Sequence, residues 1–182
     1  MAQVIAHRTA AALAPENSLE GIRAAAQCRA DYVEMDVRLS RDGVLVLMHD
    51  ESIDRTTGGR GRVAELSAEE LRDNAVPSLK EAVDLAADFG VAVVVEMKEE
   101  GLEGLMAEAL RGRDCIVTSF YHSSLRELSE ISDLKTGIII SSLPVRPVDL
   151  ALWANASSIF PKRANPRLFK EAHSQGISVY PW

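Results

Sequence analysis

The chain has 182 residues, and its 47% hydrophobic content predicts one globular domain with a sizeable core and excludes wholesale disorder. The net charge of −7 argues against a nucleic-acid surface, and it means that a metal or a few basic residues must concentrate positive charge to hold an anionic ligand. Residues 1–7 lack a basic region and a long apolar segment, so we expect no signal peptide, no membrane span and a cytoplasmic protein.

Short apolar runs alternate with amphipathic segments along the whole chain. The predicted strands cover residues 4–7, 32–37, 44–49, 91–98, 115–120, 137–140, 158–161 and 177–182. The first predicted helix begins after a cap at Asn17 or Ser18, and a short helix is predicted near residues 67–73. A third predicted helix follows Pro77 and Ser78 and reaches about Phe89, and the others cover residues 101–111, 123–131, 147–154 and 166–174. Residues 51–77 are the least regular part, and we expect a polar loop region there that lies over the site.

This alternation predicts an α/β fold with a parallel sheet and right-handed crossovers, and eight units predict a TIM-type (β/α)8 barrel. The barrel would be short, because such barrels typically take about 250 residues. The chain ends on the eighth strand, so the last helix is expected to be missing from a single domain over residues 1–182. An open doubly wound sheet is the alternative fold.

Two acids lie on the second predicted strand, which is otherwise apolar. Glu34 and Asp36 point to the same face, since side chains alternate along a strand. Two ionised carboxylates side by side repel each other and are costly to desolvate. A divalent cation such as Mg²⁺ or Ca²⁺ would remove the conflict. The alternative is a strand whose polar face meets water.

Further polar residues end the neighbouring strands. His7 ends the first strand, His49 the third, and Glu96 and Lys98 the fourth. Because active sites of parallel α/β folds lie at the carboxyl ends of the strands, we expect these residues to converge on one rim.

The combined set predicts cleavage of a phosphoester. The acids would hold one cation, and Arg8 and Lys98 add positive charge that suits a phosphate better than a neutral sugar. Two histidines, with an ordinary pKa of about 6.5, can share general acid and general base roles near neutral pH. The chain has no Walker-type loop, so nucleotide-driven transfer is disfavoured.

These residues resemble the motif series of the glycerophosphodiester phosphodiesterase family. The resemblance rests on His7-Arg8, Pro15-Glu16-Asn17, Glu34-x-Asp36, His49-Asp50, Asp54-Arg55-Thr56-Thr57-Gly58, Glu96-x-Lys98 and Ser119-Phe120. It runs from residue 3 to residue 182 and implies hydrolysis of glycerophosphodiesters to glycerol 3-phosphate and an alcohol, with Ca²⁺ or Mg²⁺ as cofactor. Such a reaction belongs to lipid and glycerol metabolism, and its partner is a small-molecule phosphodiester.

The resemblance also implies roles for individual residues. The implied metal ligands are Glu34, Asp36 and Glu96, and the implied acid–base pair is His7 and His49. The residues expected in phosphate or substrate binding are Arg8, Lys98, Glu16, Phe120 and Trp182; for Phe120 and Trp182, packing at the core or rim is the alternative interpretation.

Two departures from the family pattern carry expectations. Thr9 stands where the family usually has glycine, and its β-branched side chain restricts φ, so the first loop is expected to take a different path. The missing eighth helix would expose an apolar face, which a partner could cover, so an oligomer is compatible with the sequence.

Three other functions stay open at this point. One is a lysophospholipase D-like activity, since the same site would accept a larger alcohol group. Another is a metal-dependent sugar isomerase or aldolase, which would not need Arg8 and Lys98 together. The third is a non-catalytic binding module, against which the presence of both histidines and all three acids argues.

Overall fold

The computed structural model describes residues 3–142 and 144–182. The chain divides into two compact units, Met1–Lys98 and Glu99–Trp182. A single domain over the whole chain therefore stays a prediction from the sequence. No helix in the described residues is long and apolar enough to cross a membrane.

The first unit is built on the long central strand β2. Its strands are β1 (Ile5–Ala6), β2 (Tyr32–Leu39), β3 (Leu45–Leu47) and β4 (Ala92–Met97). Its helices are α1 (Leu19–Gln27), α2 (Ala68–Asp73) and α3 (Leu79–Asp88), with 3-10 turns at His7–Thr9 and Val63–Glu65. Both β1 and β4 pair with β2 in parallel.

Apolar alternation on β2 and capped helices explain how this unit folds. Val33, Met35 and Val37 have no solvent exposure, so one face of β2 forms a continuous part of the core. Ser18 caps α1 by accepting a hydrogen bond from the amide of Gly21 at 3.0 Å. Helices α2 and α3 each begin with a reciprocal Ser–Glu capping box.

The expectation that residues 44–49 form another parallel strand is wrong. β3 pairs with β2 in antiparallel register, with Val37 opposite Leu47 and Leu39 opposite Leu45. A parallel pair needs a crossover of a dozen or more residues, and the connection after Leu39 is far too short for one. Gly43, at φ +81°, supplies the turn that a hairpin requires.

The predicted loop region, residues 51–77, forms a small core together with residues of and next to β3. An antiparallel bridge joins Ser52 to Arg62, and α2 lies within the segment. The buried side chains of this core are Val46, Met48, Ile53, Val63, Leu71 and Val76. The segment is therefore more structured than its glycine-rich composition predicts.

The second unit repeats the β/α pattern without interruption. Its strands are β5 (Cys115–Ser119), β6 (Lys135–Ile140), β7 (Ser158–Pro161) and β8 (Ser178–Val179). Its helices are α4 (Glu103–Ala109), α5 (His122–Ile131), α6 (Pro147–Trp153) and α7 (Pro166–Ser174). The four strands pair in parallel in chain order, as crossovers through helices require.

Candidate active site

Three acidic side chains of the first unit form one cluster. Asp36 of β2 and Glu96 of β4 are direct register partners, and Glu34 lies two residues before Asp36 on the same face. One carboxylate oxygen from each of the three residues lies within 4.8 Å of the other two. The parallel pairing of two strands thus produces the cluster that the sequence predicts.

Glu34 is buried beside the first turn of the chain. The backbone amide of Arg8 donates a hydrogen bond to Oε2 of Glu34 at 2.6 Å. This amide faces the carboxylate because Arg8 and Thr9 have left-handed backbone angles, with φ of +48° and +56°. Burial, and then the charge of Asp36, raise the pKa of Glu34 well above its ordinary value.

Asn17 fixes the orientation of Asp36, which is 1% exposed. The Asn17 amide Nδ2 donates to Oδ2 of Asp36 at 2.9 Å, and the backbone amide of Asp36 donates to Oδ1 of Asn17 at 2.9 Å. Asn17 is itself buried and has φ +53°, which asparagine tolerates better than most residues. Its amide therefore holds Asp36 through two hydrogen bonds, a role that its predicted place as a helix cap did not indicate.

Two basic side chains lie against the acids. Nζ of Lys98 is 2.6 Å from Oε1 of Glu96 and 3.4 Å from Oδ1 of Asp36. Nε of Arg8 is 3.8 Å from Oδ2 of Asp36, is buried, and has no hydrogen-bond partner among the described residues. A buried donor without a partner is costly, so Nε of Arg8 is suited to donate a hydrogen bond to a bound anion.

Glu16 lies between two guanidinium groups. Nη1 of Arg8 is 3.4 Å from both of its carboxylate oxygens, and Arg55 contacts the same two oxygens. The hydrogen bonds from Arg55, more than the charge of Arg8, lower the pKa of Glu16. The structure thus places Glu16 in contact with a predicted phosphate-binding residue, as an orienting partner of Arg8.

His7 lies at the open side of the cluster. Its Nε2 is 4.0 Å from Oε2 of Glu34, and its side chain is 62% exposed. Partial burial, and then the positive charge of Arg8, lower the pKa of the ring. A ring with this exposure can reach a bound substrate.

His49 reaches the cluster by a different route from the one expected. β3 runs back along β2, and the amide of Met48 donates to the carbonyl of Asp36 at 3.0 Å, so His49 returns to the level of the acids. Its Nδ1 lies 2.7 Å from Oδ1 of Asp50. The carboxylate of Asp50 therefore orients the ring of His49.

The acids fit a divalent cation. Three hard oxygen donors at this spacing are the kind of ligand set that Mg²⁺ and Ca²⁺ prefer. Burial is the main cause that raises the pKa of both Glu34 and Glu96. A bound cation would favour the ionised form of both groups.

Phe120 and Trp182 belong to the second unit and lie together there. Their ring centroids are 6.3 Å apart in an edge-on arrangement, and Nε1 of Trp182 donates to the carbonyl of Phe160 at 3.1 Å. Lys162 Nζ lies 5.6 Å from the centre of the Trp182 ring. Both rings are about half exposed, and a role for them in substrate binding stays a prediction.

A cavity of about 590 Å³ in the first unit adjoins the site. Glu16 and Asn17 line it, together with residues of the loop at 56–58 and of the segment before α3 at 74–77. The three acids are not among its lining residues in the described part of the chain. The chemistry of the acidic cluster, and not the shape of this cavity, therefore identifies the site.

Comparison with known proteins agrees with this geometry. A model described as the glycerophosphoryl diester phosphodiesterase family matches residues 7–182. A curated glycerophosphodiester phosphodiesterase of Caldanaerobacter subterraneus subsp. tengcongensis is 32% identical over 204 residues, which cover 98% of this chain and 84% of that protein.

Solved structures give the same result for the fold. A phosphodiesterase of Oleispira antarctica, in complex with the product sn-glycerol-3-phosphate, is similar with a TM-score of 0.88 and 25% identity over 100% of this chain and 84% of that chain. A glycerophosphodiester phosphodiesterase of Agrobacterium tumefaciens is similar with a TM-score of 0.84 and 25% identity, covering 100% of this chain and 86% of that chain. These likenesses confirm the predicted α/β fold of the TIM-type barrel class.

Proposed function

Because this chain belongs to the glycerophosphodiester phosphodiesterase family, we propose that it hydrolyses glycerophosphodiesters to glycerol 3-phosphate and an alcohol. We further propose that Glu34, Asp36 and Glu96 hold a divalent cation and that His7 and His49 transfer protons. The cytoplasmic location and an oligomeric state stay predictions from the sequence.

The observation that carries the proposal is the position of Arg8. Its buried Nε lacks a hydrogen-bond partner among the described residues, and it lies beside the three acids that could hold a cation. A phosphodiester anion would give this nitrogen an acceptor and would be drawn to the same place by a cation. Arg8 already has carboxylate partners in Glu16 and Asp36, at 3.4 and 3.8 Å, but a phosphate oxygen would accept a hydrogen bond from Nε more strongly than a sugar hydroxyl would, so this arrangement disfavours the sugar enzymes.

The proposed reaction is attack of water on phosphorus with release of the alcohol oxygen. When bound, the cation would act as a Lewis acid that withdraws charge from the phosphoryl oxygens. Arg8 and Lys98 would bind the phosphoryl group and stabilise the charge that develops on it. One histidine would take a proton from the attacking water, and the other would give a proton to the leaving alcohol.

A substrate panel tests the proposal. We expect purified protein with added Ca²⁺ or Mg²⁺ to convert glycerophosphocholine and glycerophosphoethanolamine to glycerol 3-phosphate, and we expect excess EDTA to abolish the reaction. Glu34→Gln should weaken metal binding because it removes a charged ligand, whereas Glu108→Gln, on the exposed side of α4, should not.

The panel also separates the alternatives. Lysophospholipids and bis(p-nitrophenyl)phosphate are included, and faster cleavage of lysophospholipids would favour the lysophospholipase D-like activity. Full hydrolysis in excess EDTA would contradict the metal role. Release of choline phosphate in place of choline would contradict the proposed position of bond cleavage.

A further inference from the structure

We propose that Arg55 is a positioning residue that joins the His49–Asp50 pair to the Glu16–Arg8 pair. It would thereby hold a proton-transfer group and a phosphate-binding group in a fixed relation across the site. This inference rests on the proposed function, because it assigns Arg55 a part in that reaction.

On one side, Arg55 immobilises Asp50. Nε of Arg55 donates to Oδ2 of Asp50 at 2.5 Å, while Oδ1 of the same carboxylate contacts Nδ1 of His49 at 2.7 Å. Each carboxylate oxygen thus has its own partner, and Asp50 cannot rotate without losing one of them.

Arg55 also stabilises the ionised form of Asp50, which faces the histidine. The hydrogen bond from Arg55, and then the contact with His49, hold the pKa of Asp50 well below its ordinary range. An ionised carboxylate only accepts hydrogen bonds, so Nδ1 of His49 must be the donor. In the neutral ring this leaves Nε2 as the nitrogen that can exchange a proton with substrate or water.

On the other side, Arg55 immobilises Glu16 through a two-point contact. Nη2 donates to Oε1 at 2.6 Å and Nη1 donates to Oε2 at 3.0 Å. Arg8 approaches the same carboxylate at the longer distance of 3.4 Å. Glu16 is therefore fixed first by Arg55, and the side chain of Arg8 is oriented against a carboxylate that is already held.

A role in stability alone is the alternative interpretation. Isolated exposed ion pairs contribute little to stability, but Arg55, which is 49% exposed, makes a two-point contact with Glu16 and also contacts Asp50, so a matched control is needed. The same segment has a second, more exposed pair, in which Nη2 of Arg62 donates to Oε2 of Glu51 at 2.9 Å. Arg62 therefore provides a matched control, because its loss removes an arginine–carboxylate pair from the same segment without touching the site.

Steady-state kinetics test the positioning role. We expect Arg55→Ala to lower kcat by about 10- to 100-fold, the scale of loss for a displaced catalytic group, with KM changed less than about threefold. Arg55→Lys should have a kcat between those of Arg55→Ala and the original protein, since one ammonium group cannot reproduce the hydrogen bonds of a guanidinium group to two carboxylates. Arg62→Ala should leave both constants within about twofold of the original protein.

A double-mutant cycle tests the pathway of the effect. If Arg55 acts through Asp50, the double variant with Arg55→Ala and Asp50→Asn should have a kcat only slightly below that of the slower single variant. Fully multiplicative losses would contradict the link through Asp50. A kcat within twofold for Arg55→Ala, or equal losses in Arg55→Ala and Arg62→Ala, would overturn the proposal.

A measurement without turnover separates this inference from the proposed function. Nitrogen-15 NMR of the histidine rings, with His49 assigned from the spectrum of His49→Asn, should show a proton on Nδ1 in the original protein and in Arg62→Ala. We expect that signature to weaken or change in Arg55→Ala. An unchanged signature in Arg55→Ala would refute the positioning role even if no diester substrate were cleaved, whereas inactivity of the original protein alone would refute only the proposed function.

Discussion

At the scale of single residues, the site depends on side chains that hold the acids as well as on the acids. Asp36 is 1% exposed, and its carboxylate contacts Lys98, Arg8 and Asn17. Asn17 is the neutral member of this group, and it makes both a donor and an acceptor contact with Asp36. Because a buried polar group that loses its partner retains its desolvation cost, Asn17 should matter for stability as well as for the site.

Replacement of Asn17 tests this point. We expect Asn17→Gly to lower the free energy of unfolding by about 2–4 kcal/mol, since two buried hydrogen bonds are lost. The free energy of unfolding of Asn17→Ala should be lower than that of Asn17→Gly by about 1 kcal/mol, because alanine is strained at φ +53°. Urea unfolding measures both values. Surface substitutions usually change the free energy of unfolding by less than about 0.5 kcal/mol, and a loss as small as that in Asn17→Gly would contradict the role of Asn17.

The acidic cluster could be predicted from the sequence, but several contacts that surround it could not. Glu34, Asp36 and Glu96 lie on strands whose apolar pattern is visible in the sequence, and the expected cluster is present. Arg55 lies 39 positions from Glu16, and its contact depends on how residues 51–77 fold back. No local pattern encodes such a pairing, because hydrogen bonds between distant segments follow from the tertiary packing.

At the scale of elements, helix α1 supports the turn that carries His7 and Arg8. Oγ1 of Thr9 accepts a hydrogen bond from the amide of Ser18 at 2.9 Å, which joins the turn to the helix cap. Thr9 is fully buried and adopts φ +56° despite its β-branched side chain. A Cβ on Gly21 would lie 1.8 Å from the carbonyl oxygen of Thr9, so only glycine allows this approach.

Alanine substitutions in two helices test this contact. Helix propensity alone would make Gly21→Ala stabilising by about 1 kcal/mol, yet we expect a net loss of about 1–3 kcal/mol from the forced shift of the Thr9 turn. Diester hydrolysis should also fall. Gly104→Ala in α4 is the matched control, since a Cβ there meets nothing within 4 Å, and it should be neutral or stabilising. Equal thermal stability of the two variants would contradict the account.

Most elements could be predicted, and the exception is informative. The positions of β7 (Ser158–Pro161) and α7 (Pro166–Ser174) agree with the sequence prediction, because strand and helix periods and a proline-led helix start are local signals. The predicted parallel direction of β3 is wrong, because the alternation of strands and helices does not hold across the short turn at Arg41-Asp42-Gly43. A turn of this kind between two strands is a hairpin signal and could have indicated the antiparallel pairing.

At the scale of the whole molecule, the predicted chemistry is concentrated in one of the two compact units. The acids, both histidines and the basic residues that contact them belong to Met1–Lys98, whereas Phe120 and Trp182 belong to Glu99–Trp182. The chain carries a net charge of −7, so binding of an anionic phosphodiester must depend on the local positive groups. We therefore propose that different residues of the same unit bind the cation and transfer protons.

The most direct test of this division compares metal binding and hydrolysis in His7→Ala and His49→Ala, with His173→Ala on the exposed face of α7 as control. We expect diester hydrolysis to fall by at least about 100-fold in the first two variants, the usual scale for a lost general acid or base. Ca²⁺ affinity, measured by calorimetric titration, should stay within about threefold of the original protein, because carboxylates are the preferred ligands. A loss of Ca²⁺ affinity in both histidine variants that matches their loss of hydrolysis would contradict the assignment of His7 and His49 as the acid–base pair.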